Sequence, residues 1–428
     1  MVFYSPGRTS SYPEEPPKKG IRYHCLGGGD EVGNVGIVVE SEHQTRLLLD
    51  YGLAPTRPPR YPSEAPEVSD AVITHSHIDH VGMAPWLCSN HRTKLHGTAL
   101  TAEIAELMWH DCHKVSSIEK YPLSWDKRDI DTARNSWVLH EFNEPWMHND
   151  WELQLHKSGH IPGAGMLEIE TPNRKILISG DFDTRDSPLT EGAKPVKVDT
   201  LFLEGTYGGR SHPPMEEEIL RFVGHVQRVV ERGGTVLIPA FANGRTQDVV
   251  MRLHKHLPHL NVHVDGMGKR IAKMQMNNPE SLRDPDEFKK AWSWCRRVSS
   301  KSDRKRALDA DVIVSTSGML QGGPSIWYLN RLRHDEKNAV FFTGYQADKT
   351  GGRMLQNEGK VEIFGNKTDI PLEWETFSFS THAGHDQIIE FAAACEAEEV
   401  ILYHADPITA RPPLTEALEK NGHIVHNP

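Results

Sequence analysis

Apolar residues follow a strand-like pattern in the first half of the chain. From residue 21 to about residue 208, short apolar runs are separated by turns, which predicts a series of strands. One helical pattern, from Thr101 to Val115, interrupts the series because its apolar residues recur every three to four positions. The predicted strands are Gly36–Glu40, Arg46–Asp50, Ala71–Thr74, Trp137–Phe142, Trp151–Lys157, Lys175–Ser179 and Thr200–Glu204.

After about residue 209 the pattern changes to helices that alternate with strands. An amphipathic helix is predicted to follow Pro213-Pro214 and to end at Gly233-Gly234, and a second helix is predicted from Thr246 to Leu257. The strands predicted between and after these helices are Thr235–Pro239, Asp311–Ser315 and Ala339–Thr343. Strands that alternate with helices indicate a parallel sheet, and hence a second α/β unit.

The C-terminal part carries two more predicted strands, at 376–380 and 399–403, and a helix over Pro413–Asn421. It is short for a separate domain, so we expect it to pack onto the first part of the chain. The predicted boundaries are a Pro-rich lead-in over 1–20, a first domain over 21–208 that resumes over 358–428, and a second domain over 209–357.

The composition is that of a globular protein in a reducing compartment. Hydrophobic residues make up 37% of the 428 residues and charged residues 25%. No run of 18 apolar residues is present, so we expect no membrane-spanning helix and no membrane partner. The five cysteines are scattered and form no C-x-x-C pair, which favours a cytoplasmic location over a disulfide framework.

The chain is acidic overall but carries one basic segment. The 48 Lys and Arg residues against 59 Asp and Glu residues give a net charge of −11, which argues against indiscriminate coating of nucleic acid. Between Lys269 and Arg306, however, twelve Lys or Arg residues face five Asp or Glu residues. This segment is either a solvated helical face or a basic wall for a polyanion.

The strongest chemical signal is the sequence THSHIDHVG, which runs from Thr74 to Gly82 after an apolar strand. Residues i and i+2 of an extended segment point the same way, so His75 and His77 can bind one metal ion. Beyond the turn, Asp79 and His80 face a neighbouring position, at a separation that suits two-metal hydrolysis. Neutral imidazoles combined with a carboxylate favour zinc.

Three further candidate ligands follow other predicted strands. His160 stands after an alternating strand, Asp181 ends the sequence ISGD, and His404 follows the apolar run Val400–Tyr403. A carboxylate at Asp181 can bridge two ions. Together with the motif at 75–80, these residues complete two coordination spheres.

With these motifs the chain resembles the metallo-β-lactamase family, and more closely its β-CASP nuclease branch, from about residue 21 to the C terminus. Asp50 after a strand, the 75–80 motif, His160 and Asp181 occur in the family's order. The later motifs indicate the β-CASP branch. They are Leu203–Gly208 around Glu204, Phe377–Ala383 around His382, and His404.

Three more stretches are similar to nucleases of the cleavage and polyadenylation specificity factor group. They are Pro239–Arg245, Thr316–Pro324 and Gly344–Arg353. The resemblance implies an α/β fold, namely an αββα metallo-β-lactamase sandwich with an inserted α/β β-CASP domain. It also implies two Zn²⁺ ions as cofactors and single-stranded RNA as the partner.

The resemblance further implies a role for each motif residue. The first zinc would be held by His75, His77 and His160, and the second by Asp79, His80 and His404, with Asp181 bridging the two. Asp50 would orient ligand histidines from behind.

The catalytic set implied by the resemblance is Asp79, Asp181, Glu204 and His382. Glu204 would hydrogen-bond His382 and keep it protonated, so that His382 faces the scissile phosphate or the leaving oxygen. Arg245, Ser317 and Gly318 are predicted to contact the RNA strand, with a turn or a core-side ion pair as the alternative.

The chain departs from the family pattern at three places. Gly205 stands where serine is usual, Ala405-Asp406 replace Gly-Glu, and Gly384-His385 separate Ala383 from Asp386. His385 is either a phosphate contact or a surface residue. None of these changes removes a predicted ligand, but they bear on the positioning of the substrate.

The resulting hypothesis is a zinc-dependent ribonuclease that cuts single-stranded RNA endonucleolytically by a two-metal mechanism, in RNA processing or 3′-end maturation. The alternatives are a 5′-3′ exoribonuclease of the RNase J type, a non-catalytic RNA-binding paralogue and a small-molecule hydrolase. The full set of seven ligands argues against the non-catalytic paralogue, and the inserted domain with its basic segment argues against a small substrate. A homodimer is common among the relatives that the resemblance implies.

Overall fold

Two compact units make up the chain in the computed structural model, which describes residue 12, residues 17–56 and residues 58–428. The first unit extends to Asp186 and includes Glu191–Ser211 and Thr381–Pro428. The second unit comprises Ser187–Thr190 and His212–Ser380. The lead-in predicted over 1–20 lies for the most part outside the described residues.

The elements are numbered in chain order. The first unit opens with β1 (Ile21–Gly27), β2 (Gly36–Ser41), β3 (Arg46–Leu49), β4 (Asp70–Val72), α1 (Ile78–Val81), α2 (Ala84–His91), β5 (Lys94–Gly97), α3 (Ala99–Glu119), α4 (Lys127–Arg134), β6 (Trp137–Leu139), β7 (Trp146–His148), β8 (Trp151–Lys157), β9 (Gly165–Glu170), β10 (Lys175–Ile178) and β11 (Thr200–Glu204).

The second unit follows, and the first unit then closes the chain. The second unit contains α5 (Met215–Glu231), β12 (Val236–Pro239), α6 (Arg245–His256), β13 (Val262–Asp265), α7 (Gly268–Asn277), α8 (Pro285–Trp294), β14 (Arg296–Arg297), α9 (Lys301–Arg306), β15 (Val312–Ser315), α10 (Gly323–Leu332), β16 (Ala339–Phe342), α11 (Gly351–Glu358), β17 (Lys360–Ile363), β18 (Asn366–Asp369) and β19 (Glu373–Thr376), with short 3₁₀ turns at Pro279–Ser281 and Ala307–Asp309. The closing elements are α12 (His385–Ala394), β20 (Glu399–Tyr403), α13 (Arg411–Lys420) and β21 (Ile424–His426).

Two sheets of the first unit lie face to face. Their strand orders are β1-β2-β3-β4-β5-β6 and β21-β20-β11-β10-β9-β8-β7. A buried cluster that includes Leu49, Leu167 and Phe202 fills the space between them. Helices α2, α3 and α4 pack on the outer face of the first sheet, and α12 and α13 pack on the outer face of the second. The layers are therefore helix, sheet, sheet and helix.

The sequence of the central strands explains why both of their faces are covered. In β2 and β3, Val38 and Leu48 pack against the helices, whereas Val39 and Leu49 point between the sheets. Such strands read as continuous apolar runs because successive side chains point to opposite faces.

The second unit is built on a parallel sheet of order β14-β13-β15-β12-β16-β19. Helices α5, α6 and α8 cover one face around Phe222 and Phe288. Helices α10 and α11 cover the other face around Tyr328 and Leu355. The alternation of helices and strands along the sequence predicted this parallel arrangement.

The strand predicted at 376–380 is wrong, because β19 ends at Thr376. Phe377 and Phe379 beyond it are fully buried and lie 5.1 and 5.3 Å, respectively, from the ring of Phe222. Their alternation with serine therefore reflects core packing rather than strand pairing. Because β19 pairs with β16, the second unit continues to Ser380 rather than ending at 357.

Two further features concern the described residues as a whole. No helix among them is both long and apolar enough to cross a membrane. All five cysteines are free thiols, and four of them are buried.

Candidate active site

Polar residues that follow strands of both sheets come together in the first unit. His75 and His77 lie directly after β4, His160 lies after β8, Asp181 after β10, and His404 after β20. Asp79 and His80 lie in α1, the short helix that continues the segment after β4. Ends of strands supply fixed backbone positions, so residues distant in sequence can present side chains to one volume.

A glycine allows the α1 turn to lie against the strand beside it. A Cβ atom on Gly52 would stand 1.7 Å from the carbonyl oxygen of Asp79, so only glycine fits there. Backbone hydrogen bonds hold the same turn: Val35 N donates to Asp79 O at 2.8 Å, and Tyr51 N donates to His80 O at 2.8 Å. The positions of Asp79 and His80 are thereby set by the backbone.

The first group of candidate ligands is His75, His77, His160 and Asp181. His77 Nδ1 lies 3.0 Å from His75 Nε2 and 3.1 Å from His160 Nε2. Asp181 Oδ2 lies 3.6 Å from His75 Nε2 and 3.7 Å from His160 Nε2. Ligands held tetrahedrally by a zinc ion are about 3.4 Å apart, so this spacing fits one ion.

The hydrogen bonds behind these histidines leave lone pairs facing one another. His160 Nδ1 lies 2.8 Å from the carbonyl oxygen of Thr381, which can only accept, so the proton is on Nδ1. Thr74 Oγ1 donates to Asp50 and lies 3.1 Å from His75 Nδ1, which therefore donates to it. His77 Nδ1 carries at most one proton and cannot satisfy both facing nitrogens.

Burial keeps this histidine group neutral. It lowers the pKa of His75 and of His160 well below the usual range, and lowers that of His77 as well. Neutral imidazole is the form that binds a metal ion.

The second group is Asp79, His80 and His404. His404 Nε2 lies 3.7 Å from Asp79 Oδ2, and His80 Nε2 lies 3.4 Å from Asp181 Oδ1. Thr206 Oγ1 contacts His404 at Nδ1, at 3.1 Å, and does not occupy Nε2.

Asp50 lies behind both groups and is fully buried. Its carboxylate accepts hydrogen bonds from Thr74 N and Thr74 Oγ1, each at 2.7 Å, and lies 2.7 Å from His80 Nδ1. It therefore orients His80 directly and His75 through Thr74. This arrangement is the one that orients metal-binding histidines in proteins.

Three buried atoms at the centre have no hydrogen-bond partner among the described residues. They are His80 Nε2, His404 Nε2 and Asp181 Oδ1. An unsatisfied buried polar atom costs about 1–3 kcal/mol, and three around one point are a large cost unless a bound group satisfies them. Burial would lower the pKa of His80, but Asp181 and Asp50 raise it well above its usual range, so a cation that binds here displaces a proton and then takes all three atoms as electron-pair donors.

Asp181 keeps its negative charge despite burial. Burial alone would raise its pKa, but His80, His404 and His382 lower it well below the usual range. One of its oxygens faces each ligand group, Oδ2 towards His75 and Oδ1 towards His80. The carboxylate is therefore placed to contact two ions.

His382 and Glu204 form a pair beside Asp181. His382 Nδ1 lies 2.9 Å from Glu204 Oε1, and His382 Nε2 lies 3.9 Å from Asp181 Oδ2. Glu204 is fully buried, and its other oxygen accepts a hydrogen bond from Thr206 N at 2.8 Å. Burial would lower the pKa of His382, but Glu204 and Asp181 raise it to about 9. The imidazole is thus held protonated.

The three predicted RNA contacts lie in the second unit. Arg245 is nine-tenths buried and pairs with Asp248 at 2.9 Å, which is the core-side ion pair that the sequence left open. Ser317 Oγ accepts a hydrogen bond from Gln321 N at 3.2 Å. A Cβ atom on Gly318 would stand 2.8 Å from the backbone nitrogen of Phe241, so the loop there is tightly packed. Their contact with substrate stays a prediction.

His385 is half-buried, and the hydrogen bond that its ring makes lies at the surface. Its Nδ1 accepts a hydrogen bond from Gly209 N at 3.1 Å, so this ring fixes the segment after Glu204.

The groups that orient the candidate ligands were not predicted from the sequence. Thr74, Thr206 and the carbonyl of Thr381 each contact a histidine of the site. Thr74 adjoins the histidine motif and could have been noticed there. The backbone carbonyl of Thr381 could not have been noticed, because every residue type has one.

The departures at Gly205 and Ala405 are linked by packing. A Cβ atom on Gly205 would lie 2.9 Å from the Cβ of Ala405, closer than two carbon atoms can approach. Glycine at one position therefore accompanies alanine at the other. The pattern that the sequence resembles has serine at 205 and glycine at 405, so the two departures would compensate in volume.

Two family models match the chain. The metallo-beta-lactamase superfamily model matches residues 28–208, and the Beta-Casp domain model matches residues 246–355. They confirm the predicted fold class, an αββα sandwich with an inserted α/β domain, and they confirm the resemblance on which it was based.

Curated relatives point to the same family. RNase aCSPSF2 of Saccharolobus solfataricus is 34% identical over 392 residues, which cover 89% of this chain and 78% of that protein. Transcription termination factor FttA of Methanocaldococcus jannaschii is 30% identical, over 90% of this chain and 67% of that protein.

A solved structure shares the fold. It is the crystal structure of a protein of unknown function from Enterococcus faecalis V583, with a TM-score of 0.55 and 13% identity, covering 95% of this chain and 97% of that one. At this identity the likeness concerns the fold alone.

Replacing Gly205 by serine tests the compensation at 205 and 405. We expect G205S alone to lower the free energy of unfolding by about 1–3 kcal/mol, because the added atoms overpack against Ala405 and Leu414. In the double variant G205S/A405G the loss should be smaller than the sum of the two single losses, by about 0.5 kcal/mol or more. Denaturant unfolding of the four proteins measures this coupling, and strictly additive losses would contradict it.

Proposed function

Because the chain belongs to the β-CASP branch of the metallo-β-lactamase superfamily, we propose that it is a zinc-dependent ribonuclease that hydrolyses phosphodiester bonds of single-stranded RNA by a two-metal mechanism. It is a hydrolase, as its relatives named RNases are. The single observation that carries the proposal is that three buried atoms of the site, Asp181 Oδ1, His80 Nε2 and His404 Nε2, have no hydrogen-bond partner among the described residues.

The residues that would hold the metal ions are those of the two groups. His75, His77 and His160 would bind one zinc, and Asp79, His80 and His404 the other, with Asp181 contacting both. Imidazole nitrogens and carboxylate oxygens are the ligands that zinc takes in hydrolytic sites. When bound, the two ions would polarise the scissile phosphate and supply an activated water.

The chain's own contribution begins with orientation. Asp50 fixes His80 directly and His75 through Thr74, so that their lone pairs face the interior of the site. Asp181 keeps a negative charge at the centre. A site held in this way needs little reorganisation when substrate enters, which is a main source of rate in enzymes.

His382 would provide the proton that the leaving oxygen needs. Its Nδ1–H donates to Glu204, which leaves the protonated Nε2 facing the side of Asp181. The buried carboxylate of Glu204 stabilises the imidazolium and fixes the direction of the ring. A positioned acid of this kind contributes about 10²–10⁴-fold to a rate.

The substrate, mode and setting belong to the same proposal. RNA as substrate is supported by the names of the relatives, and the basic segment at 269–306 supplies positive charge for a polyanion. Endonucleolytic cutting is favoured because the His-Ala/Val-Ser-Gly-His signature of RNase J-type enzymes is lacking near His382. Contacts by Arg245, Ser317 and Gly318, a cytoplasmic location, a homodimer and a role in RNA processing or 3′-end maturation stay predictions.

Removing the carboxylate of Asp181 tests the two-metal proposal. We expect D181A to lose RNA cleavage to the level of a reaction without enzyme and to bind less than two zinc ions per chain, because both groups share this residue. Cleavage of a labelled single-stranded RNA and elemental analysis measure the two quantities. D131A is the matched control, because Asp131 is exposed on α4 and, among the described residues, pairs only with Arg134. Equal cleavage by folded D181A would exclude the mechanism.

Replacing His382 separates proton donation from metal binding. We expect H382A to cleave about 10²–10⁴-fold more slowly while it keeps the zinc content of the unchanged protein, because His382 is not among the proposed zinc ligands. The cleavage rate of H382A should recover in part with an RNA whose leaving group is a more acidic alcohol, because such a leaving group departs without being protonated. A loss of zinc in H382A would instead assign a structural role to this histidine.

A uniformly labelled RNA with a blocked 5′ end distinguishes the two modes of cutting. Internal fragments from both blocked and unblocked RNA are expected, because an endonuclease needs no free end. If blocking the 5′ end abolishes product formation, the enzyme is an exonuclease and the endonucleolytic part of the proposal is wrong. D181A serves as the background for both substrates.

A further inference from the structure

A cavity of about 400 Å³ opens within the second unit over the edge of its parallel sheet. It lies beside β13 and the edge strand β14, near α9 and the 3₁₀ turn that follows it. The residues that line it are Asn261, His263, Arg296, Arg297, Asp303, Arg306 and Asp309. None of them belongs to the metal centre.

The base of the cavity contains a buried histidine without a partner. His263 is 6% exposed, and within the described residues neither its Nδ1 nor its Nε2 makes a hydrogen bond. Its neighbours Val262 and Val264 point into the core on the opposite face of the sheet, so the ring faces the cavity. Buried polar groups in folded proteins are nearly always satisfied, so this ring is placed for a group that the protein itself does not provide.

Positive charge surrounds this histidine. Arg296 is directly beside His263 in the pairing of β14 with β13, and its exposed guanidinium has no ion pair among the described residues. One guanidinium nitrogen of Arg297 donates a hydrogen bond to the carbonyl oxygen of Trp292 at 2.6 Å, and Arg297 keeps its charge. The lining contains three arginines and two aspartates, which is a net excess of one positive charge.

One of the two carboxylates is already neutralised. Asp303 pairs with Arg306 and accepts a hydrogen bond from Ser299 Oγ at 2.6 Å. Asp309 remains exposed at the same cavity. A ligand that fits must therefore offer acceptors to Arg296 and His263, and a hydroxyl donor would suit Asp309.

We infer that this cavity is a binding site for a phosphate group, held by the Arg296 guanidinium and an N–H of His263. Arginine matches phosphate because its donors form a planar fork, and a buried histidine adds a directed donor. The cavity is within the size range of small-molecule sites and exceeds what one phosphate ion needs. The phosphate can therefore be free phosphate or part of a ribonucleotide. In a ribonucleotide, a sugar hydroxyl would donate a hydrogen bond to Asp309, as happens with acidic residues in nucleotide sites. The site does not depend on the proposed nuclease activity.

Burial and the nearby Arg296 lower the pKa of His263, so its ring is neutral. A neutral ring still has one N–H to donate, so binding needs no change of protonation.

Calorimetric titration of the full chain tests this site with two probes, inorganic phosphate and adenosine 5′-monophosphate. We expect R296Q to weaken binding about tenfold or more, as loss of a hydrogen bond to a charged group does. R92Q, which removes an exposed arginine outside both the cavity and the basic segment at 269–306, should bind as the unchanged chain does. Tighter binding of the nucleotide would identify a ribonucleotide phosphate, and equal binding would identify the free anion; both support the site.

The variant H263L separates recognition from folding. It removes two unsatisfied buried nitrogens, so we expect the melting temperature to stay the same or rise while phosphate binding falls. Unchanged binding in H263L, an equal effect of R296Q and R92Q, or no binding of either probe by the unchanged chain would overturn the inference.

Discussion

Imidazole nitrogens that face one another inside the first unit set the main physical constraint on this protein. His77 Nδ1 lies 3.0 Å from His75 Nε2 and 3.1 Å from His160 Nε2, and the outer hydrogen bonds of His75 and His160 leave a lone pair on each Nε2, so one proton on His77 cannot satisfy both. Lone pairs at this distance repel unless a cation lies among them. The buried carboxylate of Asp181 adds negative charge to the same volume, which strengthens the requirement.

The two-sheet sandwich holds the side chains of the site in positions that meet this requirement. Five of the seven candidate ligands follow the end of a strand, and Asp79 and His80 lie in α1, whose backbone accepts hydrogen bonds from Val35 and Tyr51. Gly52 lets the α1 turn lie against the loop after β3, and Asp50 bonds both to Thr74 and to His80. The geometry of the site therefore depends on residues that would never touch a metal ion.

The second unit repeats the same principle in a weaker form. His263 is buried with two unsatisfied nitrogens, and the charge around it is positive instead of negative. In the first unit the orphaned atoms are electron-pair donors gathered around a carboxylate, and the chemistry selects a cation. Around His263 the neighbours are guanidinium groups, and the chemistry selects an anion.

Residue patterns predicted the α/β organisation and the group of candidate site residues that come together, whereas the layered sandwich was implied by the family resemblance. Apolar runs predicted the strands, the change of rhythm near 209 predicted the parallel sheet, and the THSHIDHVG motif with His160, Asp181 and His404 named the side chains that the fold brings together. Such signals are local or depend only on residue type, so they can be recognised in the sequence without knowledge of the tertiary structure.

Other features depended on contacts between distant parts of the chain. Phe377 and Phe379 alternate with serine as a strand would, but they fill the core beside Phe222, and only packing reveals this. The carbonyl of Thr381 that orients His160 has no side-chain signature. The unpartnered ring of His263 is likewise visible only when every neighbour is known, because hydrogen-bond satisfaction is a property of the folded surroundings and not of the residue.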